Sequence, residues 1–199
     1  MLSPQTIPTI TTAEHITQVA LELLESEGAE AVSMRRVASA VGITPMAIYH
    51  HFPNREALLN YITDAEFSKL LEYILAHPLR GDSESRLVDI LEGYVDYALA
   101  RPRIFDYVFS RPRPGARRFP KDFRGRRSPT LNHVADVVAT AMEQGDLRKD
   151  DVWEIAFALW AHVHGYITLY RAGRISLSQK GFRELVHRSL RRFIHGLKA

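Results

Sequence analysis

The chain has 199 residues, 46% hydrophobic and 25% charged, with no cysteine; it is long enough to bury a core without staples, and the absent thiols exclude a disulfide framework, a thiolate metal site and a cysteine nucleophile. The net charge of +3 is unevenly spread: residues 1–75 hold 4 basic and 9 acidic side chains, residues 101–127 hold 10 and 2. On charge alone, an anionic partner belongs at 101–127. Met1-Leu2-Ser3-Pro4-Gln5 lacks the basic head and apolar stretch of a signal peptide, and no run approaches the roughly 18 apolar residues of a membrane span. The expectation is a soluble, cytoplasmic protein.

In chain order the pattern predicts an all-α protein. Residues 1–11 read as a flexible arm, and Thr12 as the cap of a first helix with Ile16, Val19, Ala20, Leu23 and Leu24 on one stripe. Gly28 stops that helix. Ser33 caps a short second helix, with Val37, Ala38 and Val41 inward, that ends at Gly42. Thr44 caps a third, with Pro45 at the first helical position, where a missing N–H costs nothing.

Pro53-Asn54 breaks the chain before a longer helix from about Arg55 to Ala76. After a linker at 77–82, Ser83 reads as the cap of a helix running to about Ala100, and Pro102 starts a short one through Phe109. The stretch from about 111 to 129, rich in Pro, Gly and Arg, reads as a long loop without regular helix. Helices resume at about 130–144, 151–172 and 178–197. This divides the chain into an arm (1–11), a three-helix domain (12–54) and a larger helical domain (55–199).

The stretch from Ser33 to Phe52 carries the function. Two short capped helices joined by a glycine turn are what a helix-turn-helix requires. Val41, Ile43, Ile48 and Phe52 can bury the underside, leaving Pro45, Met46, Ala47, Tyr49 and His50 on the other face. Residues 33–55 hold three arginines, two histidines and no acid, so nothing there repels phosphate. A plain helical hairpin in a bundle would also satisfy the pattern, but it leaves the Pro, Met and Tyr at exposed positions unexplained.

The linked motifs Val41-Gly42-Ile43-Thr44 and Ile48-Tyr49-His50-His51-Phe52-Pro53-Asn54-Arg55-Glu56-Ala57-Leu58-Leu59 resemble the N-terminal domain of TetR-family transcriptional regulators, over about residues 12–60. Trp160-Ala161-His162-Val163-His164-Gly165 resembles the Trp…His-Gly signature of one C-terminal class in that family. The resemblance implies a dimeric repressor that binds a palindromic DNA operator and is released by a small-molecule effector. It places Thr44, His50, His51 and Arg55 on phosphate, Pro45, Met46 and Ala47 against base edges, and Tyr49 on phosphate or base. Arg35 matches a position that reaches the major groove, where a guanidinium suits guanine.

The resemblance further implies dimerisation through the last two helices and an effector pocket in the C-terminal domain. Trp153, Phe157, Trp160, His164 and Ile167 are expected on one face of the helix from Asp151, and Ile155, Ala158, Leu159, His162 and Tyr166 on another. Phe105, Phe109, Trp160 and His164 are candidate effector contacts, with ordinary core as the alternative. No metal site, cofactor site or catalytic set is expected: His162 and His164 point apart on a helix, and His133 with Asp136 makes two ligands only. The arginines of 111–127 read first as a solvated, mobile loop and second as a contact to flanking DNA. A rival from another class is a helical small-molecule carrier that retains the helix-turn-helix head.

Overall fold

The computed structural model describes residues 10–110, 112 and 115–199, apart from the side chain of Ser110. Most of the expected N-terminal arm, together with Arg111 and Arg113, lies outside the described residues. Among those described there are ten α-helices and no strand: α1 (Thr12–Glu27), α2 (Met34–Val41), α3 (Pro45–His51), α4 (Arg55–Ala76), α5 (Ser83–Ala100), α6 (Pro102–Ser110), α7 (Lys121–Arg124), α8 (Pro129–Gln144), α9 (Val152–Arg171) and α10 (Gln179–His195). No helix among them is long and apolar enough to cross a membrane.

The helix starts follow local chemistry. The first cap is Thr11 rather than Thr12: its hydroxyl accepts from the Glu14 N–H while the Glu14 carboxylate takes the Thr11 N–H, a reciprocal capping box. Likewise α5 is capped by Asp82, whose carboxylate accepts the Ser85 N–H at 2.9 Å. Ser83 is instead buried, and its hydroxyl donates to Asp146 at 2.7 Å. For α5 the cause is a better partner elsewhere: with Ser83 taken up by Asp146, the cap falls to Asp82.

The chain packs as two compact units. The first comprises residues through Glu66 and Arg103–Ser110; the second comprises Phe67–Pro102 and the chain from Arg111 on. The division thus falls inside α4, not at residue 55, because the first turns of α4 bury Leu58, Leu59 and Ile62 and the Tyr61 ring meets Phe52 edge-on at 5.6 Å. Helix α6 belongs to the first unit, although the segments on either side of it in sequence belong to the second. There Ile104, Phe105 and Val108 are buried, and the Arg103 guanidinium donates to the Glu25 carbonyl near the end of α1 at 3.1 Å.

In the second unit α5 packs against α8, α9 and α10, which also meet one another through α9. Gly93 permits a further close approach: a Cβ there would lie 2.7 Å from the Ile74 Cα and 2.8 Å from the Tyr73 carbonyl oxygen, both backbone atoms of α4. On α9 the buried stripe is Ala156, Leu159, Val163 and Ile167. Leu159 and Ile167 therefore share one face instead of opposing each other. A helix apolar nearly all round carries no directional signal, so its neighbours set its rotation.

The basic segment differs most from expectation. It contains α7 and is anchored rather than free: Phe123 is buried, its ring 5.6 Å from Phe157. Arg124 pairs with Asp151 at 2.7 Å, Arg126 grips Asp136 at 2.9 and 3.0 Å, and Arg127 reaches Asp122 at 3.2 Å. Arg117 lies over the Phe67 ring, 4.6 Å from its centre. Asp151, Asp136 and Asp122 thus take up three of the arginines that made the segment look like a polyanion site.

The C-terminus is strapped down by Glu84, whose side chain is only 15% exposed and accepts from Lys198 at 2.8 Å and Arg191 at 2.6 Å. The Lys198 hydrogen bond holds the Glu84 carboxyl below the usual carboxylate range. A carboxyl lowered in the folded state contributes stability above its unfolded pKa, about 4.3, and loses it as pH falls through the folded value. Urea midpoints measured from pH 7 downward should therefore show Glu84→Gln less stable than the parent at neutral pH, with the gap closing in acid. Gly93→Ala should cost about 1–3 kcal/mol at any pH, because backbone must move to admit the methyl group; the same denaturation assay checks it.

Candidate nucleic-acid interface

Helices α2 and α3 are too short to persist alone and are held by their ends. Ser33 accepts the Arg36 N–H at 3.2 Å, and Thr44 accepts the Ala47 N–H at 3.1 Å with Pro45 at the first helical position. Between the helices Gly42 sits at φ 79°, in the left-handed region where a side chain is penalised. The Ile43 N–H bonds the Ala38 carbonyl and the Gly42 N–H bonds that of Ser39, a Schellman closure that satisfies the end of α2. Met34, Val37 and Ala38 are buried on α2, and Ile48 is fully buried on α3.

The burial of Ile48 fixes what α3 presents. At 100° per residue, positions 46 and 50 each fall within about 20° of the direction opposite Ile48. Met46 is 71% exposed, the Tyr49 ring 49%, and Pro45, His50 and His51 are exposed as well, with Ala47 half-buried. Thr44 is exposed at the mouth of the turn, and among the described residues no acid pairs with the exposed Arg35 of α2. The structure thus gathers Thr44, Pro45, Met46, Tyr49, His50 and His51 on the open side of α3.

Two arginines of this region are engaged elsewhere. Arg36 forms a two-point pair with Glu27 at the end of α1, its Nη1 2.9 Å from Oε2 and its Nη2 on Oε1, which holds the Glu27 carboxyl below its ordinary range. Arg55 points inward: Nε donates to the Val32 carbonyl at 2.6 Å and Nη2 to that of Ala29. Those carbonyls belong to the 3-10 turn Ala29–Ala31 and its cap, and the Ala29 carbonyl also accepts the Val32 N–H at 3.2 Å. The expectation that Arg55 clamps phosphate therefore meets a guanidinium already holding the chain entering α2. The pattern around residue 55 gives no sign of this, because Ala29 and Val32 lie more than twenty residues away.

The candidate effector residues fall in both units. Phe105 and Phe109 belong to α6 in the first, with ring centres 4.9 Å apart. Trp160 and His164 belong to α9 in the second, 5.7 Å apart. Sequence reading missed the partners of this second pair. The Tyr94 hydroxyl of α5 lies 2.9 Å from His164 Nδ1, and Trp160 continues into rings of Phe157 at 5.3 Å and Phe123 at 6.4 Å. Burial pushes the Tyr94 phenol well up and pulls the His164 imidazole down, so both are neutral at pH 7. Nothing local links residues 94 and 164. Among the described residues no group of three His, Asp or Glu side chains is arranged to hold a metal ion.

Two capped helices closed by a left-handed glycine, with an open acid-free face, define a helix-turn-helix protein. Residues 16–62 match the family described as bacterial regulatory proteins, tetR family, and residues 87–193 match the tetracyclin repressor-like C-terminal domain. The chain belongs to the TetR family. It is 35% identical over 69 residues to the nucleoid occlusion factor SlmA of Shewanella denitrificans, covering 33% of this chain and 35% of that protein. It is 37% identical over 84 residues to the HTH-type transcriptional regulator AcrR of Shigella flexneri, covering 40% and 38%. The matched stretches span little more than a third of these curated relatives. The fold extends further: a protein of unknown function from Rhodococcus sp. RHA1 superposes with a TM-score of 0.79 at 22% identity, over 98% of this chain and 100% of that one.

The two arginines separate in a stability assay. Arg55→Ala removes the donor to the Val32 carbonyl and one of two donors to the Ala29 carbonyl, which also accepts the Val32 N–H at 3.2 Å, and should lower thermal stability by about 1–3 kcal/mol. Arg35→Ala removes an exposed side chain and should change stability by no more than about 0.5 kcal/mol. Equal melting temperatures for both variants would contradict the structural role of Arg55.

Proposed function

We propose that the protein is a ligand-responsive, DNA-binding transcriptional regulator of the cytoplasm. In this reading it is a repressor that grips a palindromic operator as a homodimer and lets go when a small-molecule effector binds. The observation that carries this reading is the open side of α3, rotated into place by Ile48 and presenting Met46, Tyr49 and His50 in a stretch, residues 33–55, that carries no acid. In a helix-turn-helix the second helix enters the major groove, and two-fold symmetry sets two such helices about one DNA turn apart. Arg35 and Tyr49 supply hydrogen bonds to base edges. Thr44, His50 and His51 bind phosphate, and Arg55 is a positioning residue that acts through the 3-10 turn.

Dimerisation through α9 and α10 is supported by the side of α9 turned away from its buried stripe. Ala158, Ala161, Gly165 and Leu169 recur there at helical spacing, Leu169 is 49% exposed, and a Cβ at Gly165 would meet nothing within 4 Å. A face of small residues lets a second helix approach closely. An uncharged effector is supported by the neutral Tyr94–His164 pair inside an aromatic cluster of the second unit, with Trp160 and His164 as its proposed contacts there; the other two candidates, Phe105 and Phe109, belong to the first unit. Release then follows from differential affinity of the effector for the DNA-binding and released states.

In vitro selection from a randomised duplex pool with the full chain tests the reading. The expected product is a palindrome whose affinity falls steeply with salt, as phosphate contacts release counterions. On it, Arg35→Ala should flatten the preference at one base pair per half-site by about 1–3 kcal/mol. A pool that emerges without enrichment, and binding that ignores salt, would sink the proposal.

A further inference from the structure

We propose that Met46 reads the C5-methyl group of thymine, and that this apolar contact sets the operator's base preference opposite the tip of α3. The inference deepens the reading of α3 as the groove-entering helix and rests on it. The N-terminal residues of such a helix face base edges, and the first turn of α3 consists of Pro45, Met46 and Ala47. Pro45 has neither an N–H nor a polar side chain. The Ala47 N–H is taken by the Thr44 hydroxyl oxygen at 3.1 Å. What this turn holds against a base is therefore hydrocarbon and one thioether.

Met46 stands foremost. It lies opposite the fully buried Ile48 and, at 71% exposed, stands mostly in water in the free protein. In the major groove the base edges present hydrogen-bond donors and acceptors, and the one apolar group of any size is the thymine methyl. An apolar side chain laid over guanine or cytosine displaces water from polar atoms and replaces none of their hydrogen bonds, whereas over thymine it buries methyl against methylene. Both effects favour thymine. The long, unbranched methionine side chain also adapts to small offsets along the groove. Of the surrounding charge, the only side chains carried by residues 33–55 are basic or neutral, so the helix can come close enough for contact.

The test uses an operator selected with the full-length protein and resynthesised with each thymine in turn replaced by deoxyuridine, which removes the methyl and keeps every hydrogen-bonding atom. The expected result is one or two positions per half-site where the uracil duplex binds about fourfold more weakly per methyl. Met46→Ala should bind the thymine duplex more weakly and lose the uracil penalty at those positions, whereas Met46→Leu should keep it. Equal binding of thymine and uracil duplexes overturns the inference while leaving DNA binding intact, and so does an undiminished uracil penalty in Met46→Ala. Failure to select any duplex overturns the DNA-binding reading itself, and this inference with it.

Discussion

A helix of seven residues has almost no hydrogen bonds of its own to live on, so α3 depends on one buried side chain and two ends. Ile48 has no exposed surface, Thr44 caps the start, and the C-terminal cap Phe52 is itself buried. Once Ile48 is inside, the helix can take only one rotation about its axis, and Met46 and His50 must face out. The left-handed Gly42 turn before it sets where α3 begins. The proposed readout of DNA is thus a consequence of a packing constraint on the opposite side of the same helix.

The arginines show how far charge must be read with geometry. Arg36, Arg55, Arg124 and Arg126 all lie in windows that look suited to polyanions. In the structure each holds a specific partner: Glu27, the Ala29 and Val32 carbonyls, Asp151 and Asp136, respectively. A guanidinium presents several donors in a fixed plane, which suits it to tying distant backbone and carboxylate oxygens together. Exposed ion pairs of this kind contribute little to stability each. They do fix where chain segments lie, and that is their role around α7 and the end of α1.

In the second unit a buried tyrosine meets a half-buried histidine in aromatic surroundings. Tyr94 and His164 satisfy each other across α5 and α9, and desolvation keeps both neutral. The second polar cluster of α9 is of a different kind. His162 lies 3.1 Å from the Ser189 hydroxyl, which in turn reaches Tyr166 at 2.8 Å. It ties α9 to α10 beside the row of small residues on α9, so the helix has one polar side directed at α5 and another at α10.

Much of this was legible in the residues alone, because it is written in short-range chemistry. Capping side chains, glycine turns and a Pro at the first helical position act over three or four residues, and α2, α3 and α4 follow from them. The open face of α3 was legible too, since Ile48 and the following Phe52 bury the underside and leave Met46 and Tyr49 outward. What tertiary structure alone decided are matters of partnership: Arg55 turned inward to residues 29 and 32, a basic segment pinned by acids of α8 and α9, and Tyr94 chosen for His164. The rotation of α9, apolar nearly all round, belongs with them. Local sequence carries the propensities of a segment, whereas a hydrogen bond or a burial between residues far apart in the chain exists only once the whole fold has brought them within 3 Å of each other.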